Sequence, residues 1–145
     1  MRILVAWGCA VLLTAGLAMA GDAKDDKAKL QGKWTYETEA KKLELQFDKD
    51  NFTVVITFTK DKKSESATFK GTFTIDAQKK PKHIDMKVVE GQGFAGQTSL
   101  GIYDIEGDTL KWCANGPGKD KRPAEFPPKE GEVDDILYVK LKRAK

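Results

Sequence analysis

The chain has 145 residues, with 25 Lys and Arg against 22 Asp and Glu, and a formal net charge of +3. A charge so close to balance argues against the dense basic face that captures a nucleic-acid backbone, so no nucleic-acid partner is expected. The length suits a single domain.

The first twenty residues have the pattern of a secretory signal peptide. Arg2 supplies a positive start, residues 3–17 are apolar apart from Thr14, and Ala18-Met19-Ala20 has the small residues of a cleavage site. The apolar run is shorter than the ~20 residues that a membrane-spanning helix requires. We therefore expect residues 1–20 to be removed near Ala20. The protein would be exported to the periplasm or the medium, with no transmembrane anchor after cleavage.

The predicted mature chain consists of a short N-terminal segment and one domain. Residues 21–29 are polar and charged with no apolar period, which predicts a flexible tether that is either disordered or a frayed turn of helix. The domain then covers residues 30–145. Cys113 is the only cysteine after residue 20, so no internal disulfide is expected and the core alone must stabilise the fold. The sequence leaves open whether Cys113 is buried or a reactive thiol.

Strand patterns fill the domain. Apolar and polar residues alternate most clearly from Phe52 to Thr59, where Phe52, Val54, Ile56 and Phe58 share one face. Similar segments recur at the spacing typical of all-β domains. The predicted strands are residues 33–39, 43–47, 52–59, 67–75, 84–88, 98–105, 109–113 and 136–142.

This pattern predicts an all-β fold built as a single antiparallel β-barrel of about eight strands. Strands with one apolar face belong to antiparallel sheets, because parallel strands are buried on both faces. Closure into a barrel removes exposed sheet edges and leaves room for packed side chains or one small ligand. A β-sandwich is the alternative, although no Cys–Trp–Cys framework supports it. For residues 100–105 the sequence does not decide which side chains face the interior, because Leu100 with Ile102 and Tyr103 with Ile105 are both suitable apolar sets.

None of the reactive residues forms a recognisable catalytic or metal-binding motif, and no cofactor is expected. Gly91 to Gly96 fits G-x-G-x-x-G, but a strand pattern follows where a dinucleotide site needs a helix. We interpret it as a connection between strands that can form a lid at a barrel mouth. His83 is the only histidine, and nothing in the sequence brings it to Cys113.

Two other charged groups have structural interpretations. The acidic residues Glu130, Glu132 and Asp134-Asp135 indicate a solvated loop more readily than a calcium site, because EF-hand spacing is missing. Arg122 and Glu125 are expected to pair in a packed corner, with Pro123 fixing the turn and Phe126 buried.

Gly32-Lys33-Trp34, at the start of the first predicted strand, resembles the G-x-W element of lipocalins. In that family the Trp closes the floor of the barrel, and a basic residue of the last strand packs across it. The resemblance implies this role for Arg143 or Lys142, through a cation stacked on the indole face.

Longer segments carry a second resemblance, which covers nearly the whole mature chain. They are Leu30 to Trp34, Phe69 to Phe73, Lys79 to Asp85, Gly101 to Leu110, Arg122 to Phe126 and Val139 to Arg143. In these the chain resembles an uncharacterised family of small secreted proteins expanded in planctomycete-type bacteria and described as lipocalin-like. It departs from that family in residues 35–49 and at Trp112. The family has no established reaction, so the resemblance implies a fold and a bacterial exported protein but no chemistry.

We predict a non-enzymatic, exported, lipocalin-like domain that binds a small apolar or amphipathic ligand inside its barrel. The alternative is a cell-envelope module with a solidly packed barrel and no ligand, which would contact a protein partner that the sequence does not identify. The candidate cavity residues are the inward-facing Trp34, Phe52, Val54, Ile56, Phe58, Phe69, Phe73, Met86 and Trp112.

Overall fold

The structure is a computed structural model that describes residues 18–144, with side chains from residue 24. One helix precedes nine strands. The helix is α1 (Ala18–Leu30), and the strands are β1 (Gly32–Glu37), β2 (Lys41–Asp48), β3 (Asn51–Lys60), β4 (Lys63–Asp76), β5 (Lys82–Glu90), β6 (Thr98–Glu106), β7 (Thr109–Asn115), β8 (Gly131–Val133) and β9 (Ile136–Arg143). Most of the predicted signal peptide lies outside the described residues and stays a prediction. Within the described part, no helix has the length and apolar character needed to cross a membrane.

Eight strands close into an antiparallel barrel. Each strand from β1 to β7 pairs with the next, β7 pairs with β9, and β9 returns to β1 through Trp34 opposite Arg143 and Thr35 opposite Lys142. The ninth strand, β8, pairs with β9 beside this circuit. The predicted barrel is confirmed and the sandwich alternative is excluded. The sequence missed β8 because three residues are too short to show alternation.

The barrel interior is built from the predicted alternation. Leu43, Leu45 and Phe47 of β2 are buried, and their register places Phe47 opposite Phe52 and Leu45 opposite Val54 of β3. Burial of these cross-strand apolar pairs stabilises the sheet and fixes its register, since a shift of one residue would turn them towards water.

The structure shows which side chains of β6 face the barrel interior. Tyr103 belongs to the main core and Ile105 packs against it, whereas Ile102 lies on the outer face. There Ile102 forms a second buried cluster with Cys113 and Tyr138, on which Phe126 packs. Both faces of β6 are apolar because the chain after β7 covers the outside of the barrel at this point. For this reason the sequence alone does not show which face of β6 lies inside.

The covering segment is held by Arg122, although its partner differs from the predicted one. The guanidinium Nη1 donates to the carbonyl of Gly101 at 2.7 Å, and Nη2 lies 2.5 Å from Oδ1 of Asp85. Glu125, the predicted partner, is exposed. The Phe126 ring packs on Tyr138, with 5.5 Å between centroids, as the predicted corner requires. The ion pair therefore joins the segment to β5 and not to its own turn.

Residues 21–29, predicted as a flexible tether, belong instead to α1, whose C-terminal end packs on the barrel. Leu30 is fully buried, and Asp26 is buried as well. Oδ2 of Asp26 accepts hydrogen bonds from the Tyr103 hydroxyl and from Nζ of Lys82, both at 2.8 Å. The helix has little apolar periodicity, and two buried residues hold it in place. A pattern search has no signal for a helix docked in this way.

Trp34 and Arg143 complete the closed end beneath α1. Trp34 is fully buried, and its Nε1 donates to the carbonyl of Leu30 at 2.8 Å. The Arg143 guanidinium carbon lies 4.2 Å from the indole centroid, and its two terminal nitrogens donate to the carbonyls of Gln31 and Lys29 at 3.1 and 2.8 Å. Arg143, and not Lys142, therefore has the role that the lipocalin resemblance implies. It also satisfies carbonyls that the end of α1 leaves unpaired.

We expect Arg143→Ala to lower the free energy of unfolding by about 2 kcal/mol, because the cation–π contact and the bonds to the helix end are lost together. Lys142→Ala, one residue earlier on an exposed side chain, should cost less than about 1 kcal/mol. Urea denaturation followed by circular dichroism measures both. Equal losses in the two variants would contradict the role given to Arg143.

Asp26→Ala should destabilise the protein by about 2–3 kcal/mol, because the buried hydroxyl of Tyr103 is left without its acceptor. Asp25→Ala is the matched control: its side chain is exposed one residue earlier on the same helix, so we expect a change within about 0.5 kcal/mol. Thermal unfolding of the two variants tests this. A flexible tether would predict no difference between them.

Burial raises the pKa of the Cys113 thiol from 9.0 to about 11. Since the folded protein holds the proton more tightly than the unfolded chain, this contribution to stability is intact below pH 9 and is lost as the pH rises towards 11. We therefore expect native protein at neutral pH to resist a thiol reagent that labels it fully in denaturant. Rapid labelling of the native protein would show an accessible thiol.

Candidate functional site

The barrel end opposite α1 contains a cavity. Antiparallel pairing places the connections β1–β2, β3–β4 and β5–β6 at this end, together with the end of β7 and the start of β9. The cavity has a volume of about 290 Å³, and its wall is mainly apolar. Because Trp34, Arg143 and α1 fill the other end, the space is accessible from one side of the barrel.

Most of the predicted cavity residues lie in this wall. Alternation along β3 directs Phe52, Val54 and Ile56 inward, and the same rule applies to Phe69 of β4 and Met86 of β5. Trp112 of β7 completes the group. The predicted residues that the structure brings together are therefore Phe52, Val54, Ile56, Phe69, Met86 and Trp112.

Three predicted residues lie elsewhere. Trp34 belongs to the closed end described above. Phe73 packs on Phe47 in the core, with 4.6 Å between ring centroids, and also borders a separate hollow of about 260 Å³ between α1 and β4. Phe58 is 49% exposed, and Nζ of Lys41 lies 5.4 Å from its ring centroid.

Phe58, one of the candidate cavity residues, does not line this cavity. Residues 57–66, the end of β3 and the start of β4, are largely exposed, which shows that this hairpin extends past the barrel mouth. Alternation gives the side of a strand on which a residue lies, but it does not indicate where the strand leaves the barrel.

A loop residue in the wall escaped the strand pattern. Phe94 lies in the Gly91–Gly96 segment, which connects β5 to β6 as predicted, and its ring centroid is 5.7 Å from that of Phe69. Gly93 and Gly96 have φ of 77° and 87°, in a region that side chains disfavour, so they permit the tight path of this loop. The glycine pattern predicts a connection at the barrel mouth, but it does not indicate that the Phe94 side chain lines the cavity.

The polar part of the wall comes from β6, from β8 and from the turn that follows β8. Ser99 Oγ donates to the carbonyl of Asn115 at 2.6 Å and is thereby satisfied. Glu132 and Asp135 also line the cavity. Both carboxylates belong to the predicted solvated loop, and nothing in the sequence indicates that β8 brings this loop to the barrel mouth.

The indole of Trp112 carries a buried polar atom without a partner. The residue is only 7% exposed, yet Nε1 has no hydrogen-bond acceptor among the described residues. An indole nitrogen can only donate, and leaving a buried donor unpaired costs about 1–3 kcal/mol. Trp112 lines the cavity, but Nε1 itself is buried and is not exposed to the open space.

Each carboxylate at the mouth has a lysine nearby. Glu132 Oε2 lies 3.7 Å from Nζ of Lys41, and Asp135 Oδ2 lies 3.4 Å from Nζ of Lys119. Both carboxylates are largely exposed, at 63% and 66%. Such pairs are screened by water and contribute little, at most about 1 kcal/mol each.

His83 and Cys113 lie on the outside of the barrel and do not meet. Both pair with Ile102, from opposite sides, so two strand spacings separate them, about 9–10 Å. This separation leaves the His83 and Cys113 side chains without a direct hydrogen bond. Burial and the charges of Arg122 and Lys79 lower the pKa of His83. Across the residues with described side chains, no group of three or more His, Cys, Asp or Glu is placed to hold a metal ion.

Comparison with protein families, with curated proteins and with solved structures finds no match to this chain. The resemblance to lipocalins and to the planctomycete-type secreted family therefore stays a prediction from the sequence motifs. The site is interpreted from its own geometry.

Proposed function

We propose that this protein is an exported carrier or sensor that binds a small apolar or amphipathic molecule in the open end of its barrel, without covalent chemistry. The observation that carries the proposal is the cavity of about 290 Å³ with its apolar wall. Ligand pockets in proteins are concave and mostly apolar, with a few polar groups that orient the ligand. This cavity is at the small end of their range, so it suits a short chain or a single ring system.

The wall offers such a ligand both driving force and orientation. Contact with Phe52, Phe69, Met86 and Phe94 removes apolar surface from water, at roughly 25 cal/mol per Å². Glu132 and Asp135 supply polar groups at the mouth. A ligand with an apolar body and a polar end would use both features, which is the amphipathic class predicted from the sequence.

The alternative function, a packed barrel that acts only through its surface, accounts less well for this space. Natural interiors are close-packed, so a barrel that acts only through its surface is expected to fill this end with side chains. The proposal omits a covalent step because Ser99, the hydroxyl in the wall, donates to a backbone carbonyl and not to a basic side chain. Export and membership of the secreted lipocalin-like family are parts of the same proposal, supported by the N-terminal pattern and by the motifs quoted above.

Binding of n-alkyl alcohols to the purified protein, measured by isothermal titration calorimetry, tests the proposal. Each added methylene should improve affinity by about 0.8 kcal/mol, roughly fourfold, until the cavity is full. Longer alcohols should then gain nothing further. No binding along the whole series, or a gain without limit, would contradict an apolar site of limited size.

Two tryptophan variants locate the site within this experiment. Trp112→Phe keeps an aromatic ring, removes the unpaired donor and enlarges the cavity, so stability should stay unchanged or rise while affinity continues to increase up to a longer alcohol before it levels off. Trp34→Phe removes a satisfied donor at the closed end, so stability should fall while affinity stays the same. The reverse pattern would place the ligand at the closed end of the barrel, beside Trp34, and would contradict the proposed site.

A further inference from the structure

The large apolar side chains that the described residues expose all lie at the open end of the barrel. They are Phe58 in the β3–β4 hairpin, Val89 next to the end of β5, Phe94 in the β5–β6 loop and Val133 at the end of β8, with exposures from 37% to 67%. Single exposed apolar residues are ordinary on a protein surface. Their restriction to one end, the end that contains the cavity, indicates that this end has a partner.

These side chains flank the cavity entrance. Nζ of Lys41 lies 5.4 Å from the ring centroid of Phe58 and 3.7 Å from Oε2 of Glu132, which precedes Val133. The hairpin and β8 therefore adjoin on one side of the mouth. Phe94 lines the cavity itself. A surface that covers these residues would also cover the entrance.

The hairpin that extends past the mouth is stiff and has a basic tip. Residues 60–63, at its turn, are exposed and contain three lysines and one aspartate. Two hydroxyl pairs link its strands outside the barrel, Thr57 with Ser66 at 2.9 Å and Thr59 with Ser64 at 3.1 Å. The hairpin thus holds its lysines in front of the open end.

The hairpin lysines are free to bind anions. Within the described part of the chain, Lys60, Lys62 and Lys63 take part in no ion pair. The carboxylates that line the mouth, Glu132 and Asp135, already have lysines at 3.7 and 3.4 Å. The charge that the mouth leaves uncompensated at the hairpin tip is therefore positive.

Apolar side chains beside free lysines match the interface of a lipid bilayer. Apolar groups enter the boundary of the acyl chains, while ammonium groups remain at the level of the phosphates. Lysines near an anionic bilayer surface add electrostatic attraction.

We propose that the open end of the barrel docks on the surface of an anionic lipid bilayer, with Phe58 and Phe94 at the acyl boundary and the hairpin lysines on headgroup phosphates. The inference rests on the binding function proposed above and identifies the partner of the same site. A ligand of low solubility would pass between bilayer and cavity without crossing water.

Sedimentation of the purified protein with vesicles of phosphatidylcholine, with and without phosphatidylglycerol, tests the docking. Lys62→Gln combined with Lys63→Gln should weaken binding to the anionic vesicles roughly tenfold, and high salt should remove most of this difference. Lys79→Gln combined with Lys80→Gln is the matched control. It makes the same change in charge on exposed lysines of the β4–β5 connection at the closed end, so binding should be unchanged.

A tryptophan placed at either end reports the orientation. The fluorescence of Phe58→Trp should shift to the blue on anionic vesicles and be quenched by lipids brominated on their acyl chains. Gln78→Trp, at an exposed position of the β4–β5 connection, should show neither effect. Phe58→Ser should weaken vesicle binding roughly threefold, because less apolar surface leaves water. Every variant keeps the same N-terminus, so the apolar residues 3–17 affect all of them equally.

The outcomes separate this inference from the proposed function. Equal losses for the two lysine pairs would mean that net charge attracts the vesicles, and quenching at Gln78→Trp would place the bilayer at the closed end. Either result overturns the docking, as does the absence of vesicle binding, which would leave a protein as the partner of this surface. The alcohol titration contains no lipid, so the binding function stands or fails independently.

Discussion

The guanidinium of Arg143 on the indole of Trp34 is the contact on which the architecture depends. These residues belong to the last and first strands of the barrel and lie opposite each other in the register that closes it. The same guanidinium bonds to two carbonyls at the end of α1, while the indole nitrogen bonds to a third. One side chain therefore joins barrel closure, the helix and the floor of the interior.

This closure makes the two ends of the barrel different. At the floor, Leu30 and Trp34 fill the interior, and Asp26 with its partners Tyr103 and Lys82 fixes the helix across it. Burial and the bond to Asp26 raise the pKa of Tyr103, so its phenol keeps the proton that it donates to Asp26. At the mouth there is no comparable plug among the described residues. The apolar faces of β3, β4, β5 and β7 are left to line a space instead of a core.

Much of this architecture could be predicted from the sequence because it is local. The alternation of Phe52, Val54 and Ile56 is set by the period of a strand, and the barrel follows from many such strands in succession. The role of Arg143 followed from a family motif and not from the strand pattern. The docking of α1 was missed because it depends on Asp26 meeting Tyr103, 77 residues away in sequence, which no local pattern encodes.

The site shows the same division. Six wall residues followed from strand parity, but Phe58 did not, because parity does not show where a strand leaves the barrel. Phe94, Glu132 and Asp135 reach the mouth through loops and through β8, whose positions depend on the finished barrel. Most residues of the apolar wall were thus predictable, whereas the loop ring of Phe94 and the carboxylates at the mouth were not.

The most direct measurement of the central claim is the NMR signal of the indole N–H groups during titration with an amphipathic ligand. The N–H signal of Trp112, a residue of the cavity wall, should shift as the ligand fills the space beside its indole, while that of Trp34, bonded to Leu30 beneath the floor, should keep its position. A saturable shift at Trp112 alone would support a ligand held in the open end of the barrel. Shifts at Trp34, or none at either residue with ligand in excess, would contradict it.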